Sequence, residues 1–211
     1  KVPREGSAAT VPGDLRRQGL PEPAGLPVVR LFRAASGDLT AARVERDGGE
    51  RLLHSRIDPV AEAEEWTGWQ RRVRNTAVVI GAGLGYCACA LAGRHPGITA
   101  FWLVESDPQL LRAAAAIPAF VRLLRDRPCR LVAGRDQRDL CNPLLSGLAG
   151  EFSLHITPSA PAVEPALYGA VTGVLQRRLY EIRSAGGDDA GGTGARARAR
   201  SVDLLIEEML A

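Results

Sequence analysis

Hydrophobic and polar positions change rhythm several times along this chain. Residues 1–27 show no apolar period and carry Pro3, Pro12, Pro21, Pro23 and Pro27, which reads as a mobile arm. Three short strand-length runs follow, at 28–34, 40–45 and 50–54. Ser36-Gly37-Asp38 and Asp47-Gly48-Gly49 separate them, so a small β-meander is expected over 28–57. Asp58-Pro59 then reads as a helix start, with Asp58 capping free amides and Pro59 at the first helical position. Spacing of Val60, Ala63, Trp66 or Thr67, Gln70 and Val73 predicts a helix to about Arg74 with that stripe buried. Trp66 and Trp69 read as core or edge packing.

From Thr76 the rhythm becomes strand–helix alternation. Strands are expected at 77–80, 99–104, 129–132 and 152–156, with helices at 86–95, 108–116 and 164–182. Fully apolar strands alternating with helices predict an α/β, Rossmann-like, mostly parallel sheet with helices on both faces, occupying 58–183. Gly186, Gly187, Gly191, Gly192 and Gly194, then Arg196, Arg198 and Arg200, read as a Gly/Arg-rich linker over 184–200. Residues 201–211 read as a short helix with Leu204, Leu205 and Met209 on one face.

Composition narrows the class. Hydrophobic residues make up 45% and charged residues 24% of 211, the balance of an ordinary globular chain. No run approaches the ~20 apolar residues that span a bilayer, so no membrane partner is expected. A net charge of +3 does not argue for a nucleic-acid surface. Cys87 and Cys89 lie about 200° apart on a helix, no C-x-x-C occurs, and His54, His95 and His155 are scattered, which argues against zinc. Reduced thiols suit the cytoplasm. The chain opens with Lys1 and its only methionine is Met209, so it reads as a fragment or processed chain.

The chemistry-bearing stretch is Val78-Val79-Ile80-Gly81-Ala82-Gly83-Leu84-Gly85-Tyr86. A buried strand ends in G-x-G-x-G and a helix opens. Gly81 permits the tight turn, Gly83 leaves room for a ligand beside the backbone, and Gly85 lets the helix start close to the sheet. Glu105 ends the next strand, 20 residues beyond Gly85, where a carboxylate can accept from two ribose hydroxyls. The same features also suit packing alone, since glycines make tight turns and an acid at a strand end can cap the next helix. Asp136 and His155 should project at the same sheet edge, His155 either toward a ligand or as a hydrogen-bonded structural residue. His54, Asp58 and Glu62, at four-residue spacing, read as helix-start chemistry in preference to a metal set.

The G-x-G-x-G loop with Val104-Glu105-Ser106-Asp107 resembles S-adenosylmethionine-dependent methyltransferases and aminopropyltransferases over about 76–139. That resemblance implies that Gly81, Gly83 and Gly85 line the methionine side, Glu105 holds ribose and Asp136 approaches the adenine amine. It implies S-adenosylmethionine or another nucleoside-containing ligand. The full candidate binding set is Gly81, Ala82, Gly83, Gly85, Tyr86, Glu105, Asp107 and Asp136. No acceptor motif follows the fourth strand, so no catalytic residue is assigned.

A longer resemblance starts earlier. Leu53-His54-Ser55, Asp58-Pro59 and Glu62-Ala63, then Gly81-Ala82-Gly83-Leu84-Gly85-Tyr86 and Val104-Glu105-Ser106-Asp107, are similar in order to motility accessory factor proteins. The stretch 161–168, ending at Tyr168, is similar to that family's short linker and Tyr-bearing helix. The family comprises flagellin glycosyltransferases that move nonulosonic acids onto Ser/Thr. Their transferase chemistry belongs to a central domain after the Rossmann-like one, and this chain ends at Ala211 without room for it. The resemblance therefore implies an accessory, itself non-catalytic module, with flagellin or a downstream transferase domain as partner. An S-adenosylmethionine enzyme and a non-enzymatic interaction module are the alternative expectations.

Overall fold

The computed structural model describes residues 28–45 and 48–185. The expected arm over 1–27, most of the expected linker and the expected helix at 201–211 lie outside them. The meander is β1 (Val28–Arg33), β2 (Leu39–Val44) and β3 (Glu50–Leu52), an antiparallel sheet in that order. At the β1–β2 turn Gly37 takes φ +91°, a left-handed value that an L side chain resists. Ala41 and Leu53 are buried in the same cluster as the main sheet. Arg43 pairs with Glu164 at 2.6 Å, and Arg51 donates to the Ala162 carbonyl at 2.6 Å. Apolar and polar contacts thus tie the meander to the larger sheet.

The helix α1 (Pro59–Gly68) starts as its sequence dictates: Asp58 Oδ1 accepts from the Val60 and Ala61 amides. It stops at Gly68, six residues short of Arg74. The following stretch runs beside the sheet instead, where the Arg74 amide donates to Ser153 Oγ at 3.1 Å. Ala63 and Thr67 are buried, but Val60 is exposed. Trp66 packs at the sheet edge and its Nε1 donates to the Ile156 carbonyl, whereas Trp69 is exposed.

The main sheet contains β4 (Thr76–Ile80), β5 (Ala100–Glu105), β6 (Cys129–Ala133) and β7 (Ser153–Ile156). All are parallel, in the order β6-β5-β4-β7. The helices are α2 (Tyr86–Arg94), α3 (Pro108–Ala114), α4 (Pro118–Asp126), α5 (Gln137–Gly147), α6 (Ala160–Val163) and α7 (Pro165–Ala185). Successive strand residues face opposite ways. Ala77, Val79, Phe101 and Leu103 pack with Leu91, Phe120 and Leu124 on one face. Val78, Ile80, Trp102 and Val104 pack with Leu140, Leu144, Val171 and Leu175 on the other. This is the expected Rossmann-like α/β fold with a small β-meander. Helices α4, α5 and the short α6 were not anticipated, and α7 runs past Ile182, where its helix was expected to end, to Ala185. No described helix is long and apolar enough to cross a membrane.

Candidate functional site

The glycine loop joins β4 to α2 at the carboxyl end of the sheet, where ligands of open α/β folds bind. Gly81, Gly83 and Gly85 take φ of +73°, +56° and +87°, so the loop's path depends on all three. Its five amides have acceptors within the protein. Those of Gly81 and Ala82 donate to the Val104 carbonyl at 2.8 and 3.0 Å. The Gly83 amide donates to Glu105 Oε2 at 2.7 Å, the Leu84 amide to His54 Nε2 at 2.9 Å, and the Gly85 amide to the Ala82 carbonyl.

Glu105 stands at the end of β5 as expected, but its carboxylate turns inward. Besides Gly83, Oε1 accepts from the Asp107 amide at 3.0 Å and from the Tyr168 hydroxyl at 2.9 Å. The Tyr168 hydroxyl oxygen in turn accepts from the Ser106 amide. Glu105 is 3% exposed, and burial raises its pKa against the opposing pull of those hydrogen bonds. Burial and the neighbouring Glu105 push the Tyr168 phenol up as well. Helix α7 thereby places the Tyr168 hydroxyl against the Glu105 carboxylate.

His54 closes the other side. It follows β3, is 4% exposed and stacks edge-to-face with Tyr86 at 5.4 Å. Accepting from an amide requires Nε2 to be unprotonated, and burial lowers its pKa to about 4. A Cβ on Gly83 would sit 2.6 Å from His54 Nε2. The space expected for a ligand beside Gly83 therefore holds the imidazole. A Cβ on Gly81 would meet Ala160 at 2.6 Å, and one on Gly85 would overlap the Phe120 ring of α4. All three glycines make room for side chains of this protein.

The remaining candidates are structural in their contacts. Ala82 is buried in the core, and the Tyr86 hydroxyl donates to the Leu39 carbonyl at 2.6 Å. Asp107 caps α3 through the Gln109 amide, with the Arg135 guanidinium 3.8 Å away. Asp136 caps α5 through the Asp139 amide. His155 is buried, with Nδ1 at 2.9 Å from Gln70 Oε1 and Nε2 at 2.8 Å from Ser153 Oγ. Asp58 caps α1, and Glu62 accepts from the Ser55 amide at 2.9 Å. Sequence reasoning tied neither His54 nor Tyr168 to the loop. The ordered motif containing Leu53-His54-Ser55 was the available signal.

Among the described residues, no three His, Cys, Asp or Glu side chains gather as a metal site, and all four cysteines are free. The loop amides and the Glu105 carboxylate are bonded to one another, to neighbouring backbone, and to His54 and Tyr168. Comparison with protein families, with curated proteins and with solved structures finds no match to this chain.

Proposed function

We propose that the chain is a non-catalytic Rossmann-like module, and that it serves as the accessory N-terminal domain of a motility accessory factor-type flagellin glycosyltransferase. The observation that supports the first half is the closed glycine loop, with Gly83 held by Glu105, Leu84 by His54, and Glu105 by Tyr168. The second half rests on the resemblance. Its scattered motifs, from His54 and Glu62 to Glu105 and Tyr168, take part in hydrogen bonds that fix the loop or its approach.

Two experiments test the reading. Thermal unfolding with S-adenosylmethionine, CMP or a CMP-sugar at millimolar concentration is expected to show no shift. A ligand at ~100 times its Kd adds about 2.7 kcal/mol, several degrees for a domain of this size. A rise of that size with S-adenosylmethionine, lost in Glu105→Gln, overturns the non-catalytic reading in favour of a methyltransferase-like enzyme. For the assignment to glycosylation, the coding region for 28–185 is deleted in the parent cell and flagellin is weighed by mass spectrometry. Loss of the nonulosonic acid mass supports the assignment, and unchanged flagellin overturns it.

A further inference from the structure

The outer side of β7, away from β4, is open. β7 is an edge strand among the described residues, hydrogen-bonded to β4 alone of the described strands. The Thr157 amide donates to the Ile80 carbonyl, so alternate residues of β7 face β4 and the amides of Leu154 and Ile156 point away from it. The Ile156 carbonyl, on that outer side, takes the Trp66 indole, which agrees with this polarity. Neither of the two outward amides has an acceptor among the described residues.

A cleft of about 630 Å³ runs along this edge. Leu154, Ile156 and Leu179 give it apolar walls, and Arg71, Arg72, Arg74 and Arg183 surround it. Arg74 and Arg183 share Glu151, at 3.1 and 3.3 Å. Arg71 and Arg72 are exposed and have no carboxylate partner among the described residues. The cleft therefore offers two unneutralised cations, an apolar wall and two unpaired amides, a combination that suits an acidic and apolar chain segment.

We propose that the occupant is the chain's own segment 201–211. It reads Ser-Val-Asp-Leu-Leu-Ile-Glu-Glu-Met-Leu-Ala, with three carboxylates, no Lys or Arg, and six large apolar side chains. Charge complementarity to Arg71 and Arg72 favours it. So does position: Arg183, two residues before the end of α7, already lines the cleft. Fifteen residues, 186–200, separate α7 from the segment, and a chain of that length spans about 20 Å even when coiled. Docking places Asp203, Glu207 and Glu208 against the two arginines and shields the β7 edge from pairing with other chains.

Amide hydrogen exchange in the full chain tests this. A short tether supplies an effective concentration of about 1 mM, so a segment with a separate affinity of about 0.1 mM protects the amides it covers about tenfold. Leu154 and Ile156 are expected to lose that protection in Arg71→Glu/Arg72→Glu and to regain it when Glu207→Arg/Glu208→Arg is added. The Val79 and Leu103 amides, deep in the sheet, stay unchanged and report an intact fold. Equal exchange at Leu154 and Ile156 in the wild type and in a chain lacking 201–211 overturns the proposal. Protection that survives the deletion and rises with protein concentration also overturns it, and identifies a second copy as the occupant.

Discussion

At the carboxyl end of β4, five consecutive amides find acceptors inside the protein. Along β7, two amides of the same sheet point outward with none among the described residues. The glycine loop has the sequence of a ligand site and the hydrogen bonding of a core. The β7 edge has no sequence motif, yet among the described residues its outward amides and Arg71 and Arg72 have no partner, and it carries an apolar wall. A glycine motif reports only that backbone comes close to something, and here that something is His54, Ala160 and Phe120. Recognition capacity follows from groups left unsatisfied, and those lie along the outer side of β7.

If the loop is a packed core element, its glycines should be intolerant in proportion to what they touch. Gly85→Ala carries the largest expected effect. It forces a Cβ into Phe120 at φ +87°, adding backbone strain of about 1–3 kcal/mol to overpacking of similar size. Loss of about 3–5 kcal/mol lowers the midpoint by about 10 °C, read by thermal unfolding. Gly93→Ala in α2 is the control, because a Cβ there meets nothing within 4 Å. It should stabilise by about 0.5–1 kcal/mol. Equal responses at the two positions would remove the packing explanation.

The second effect is acid sensitivity. His54 is neutral in the fold with its pKa lowered to about 4, against 6.5 for the ordinary group. Between those values the unfolded chain binds the extra proton, so stability is full above about pH 6.5 and falls as the pH drops toward 4. The loss from His54 is about 3 kcal/mol. His155, also lowered to about 4 by burial, adds to the same slope. Glu105 acts oppositely: its raised pKa favours the fold at low pH, a contribution lost as pH rises through that pKa. Urea unfolding between pH 7 and 4 measures the sum. In His54→Gln the slope should flatten, since Gln can still accept from the Leu84 amide without titrating.

Much of the fold was legible because its signals are local. The apolar run of β4, the glycines after it, and Asp58-Pro59 each act within a few residues of themselves. Helix α5 was missed because Pro143 lies inside it and Asp136, its cap, was read as a ligand group. Helix α4 begins at Pro118 with no capping side chain on Ile117, although Phe120, Leu123 and Leu124 stood at helical spacing. The end of α1 was misplaced because Gln70 and Val73 continue the helical period, while Gln70 and Arg74 bond to His155 and Ser153. The partners of the candidate site were not legible on the same long-range ground. His54 reaches Leu84 from 30 positions away and Tyr168 reaches Glu105 from 63, and no composition or period encodes such a partner.

The Tyr168 hydroxyl gives the next smaller test of closure. Tyr168→Phe keeps the ring but removes the donor to Glu105 and the acceptor for the Ser106 amide. A buried hydrogen bond to a charged group is worth about 1.5–3 kcal/mol. A loss in that range by urea unfolding, with no gain of nucleoside binding in calorimetry, marks Tyr168 as part of the packing. New S-adenosylmethionine binding would instead mark it as a removable plug over a working pocket.

The smallest effect belongs to the open edge. Arg71→Ala and Arg72→Ala remove side chains with no ion pair among the described residues. In a chain lacking 201–211, each should therefore change unfolding free energy by no more than about 0.5 kcal/mol. Arg43→Ala is the counterpart within the fold. It removes the 2.6 Å pair with Glu164, whose side chain is 35% exposed, and the bond to the Val163 carbonyl. It should cost about 1 kcal/mol or more, because these contacts hold the meander against the approach to α7. A cost at Arg71 or Arg72 in that shortened chain matching the cost at Arg43 would mean that a group other than 201–211 engages the edge, and titrating salt would then separate an ionic contact, weakened by screening, from an apolar one.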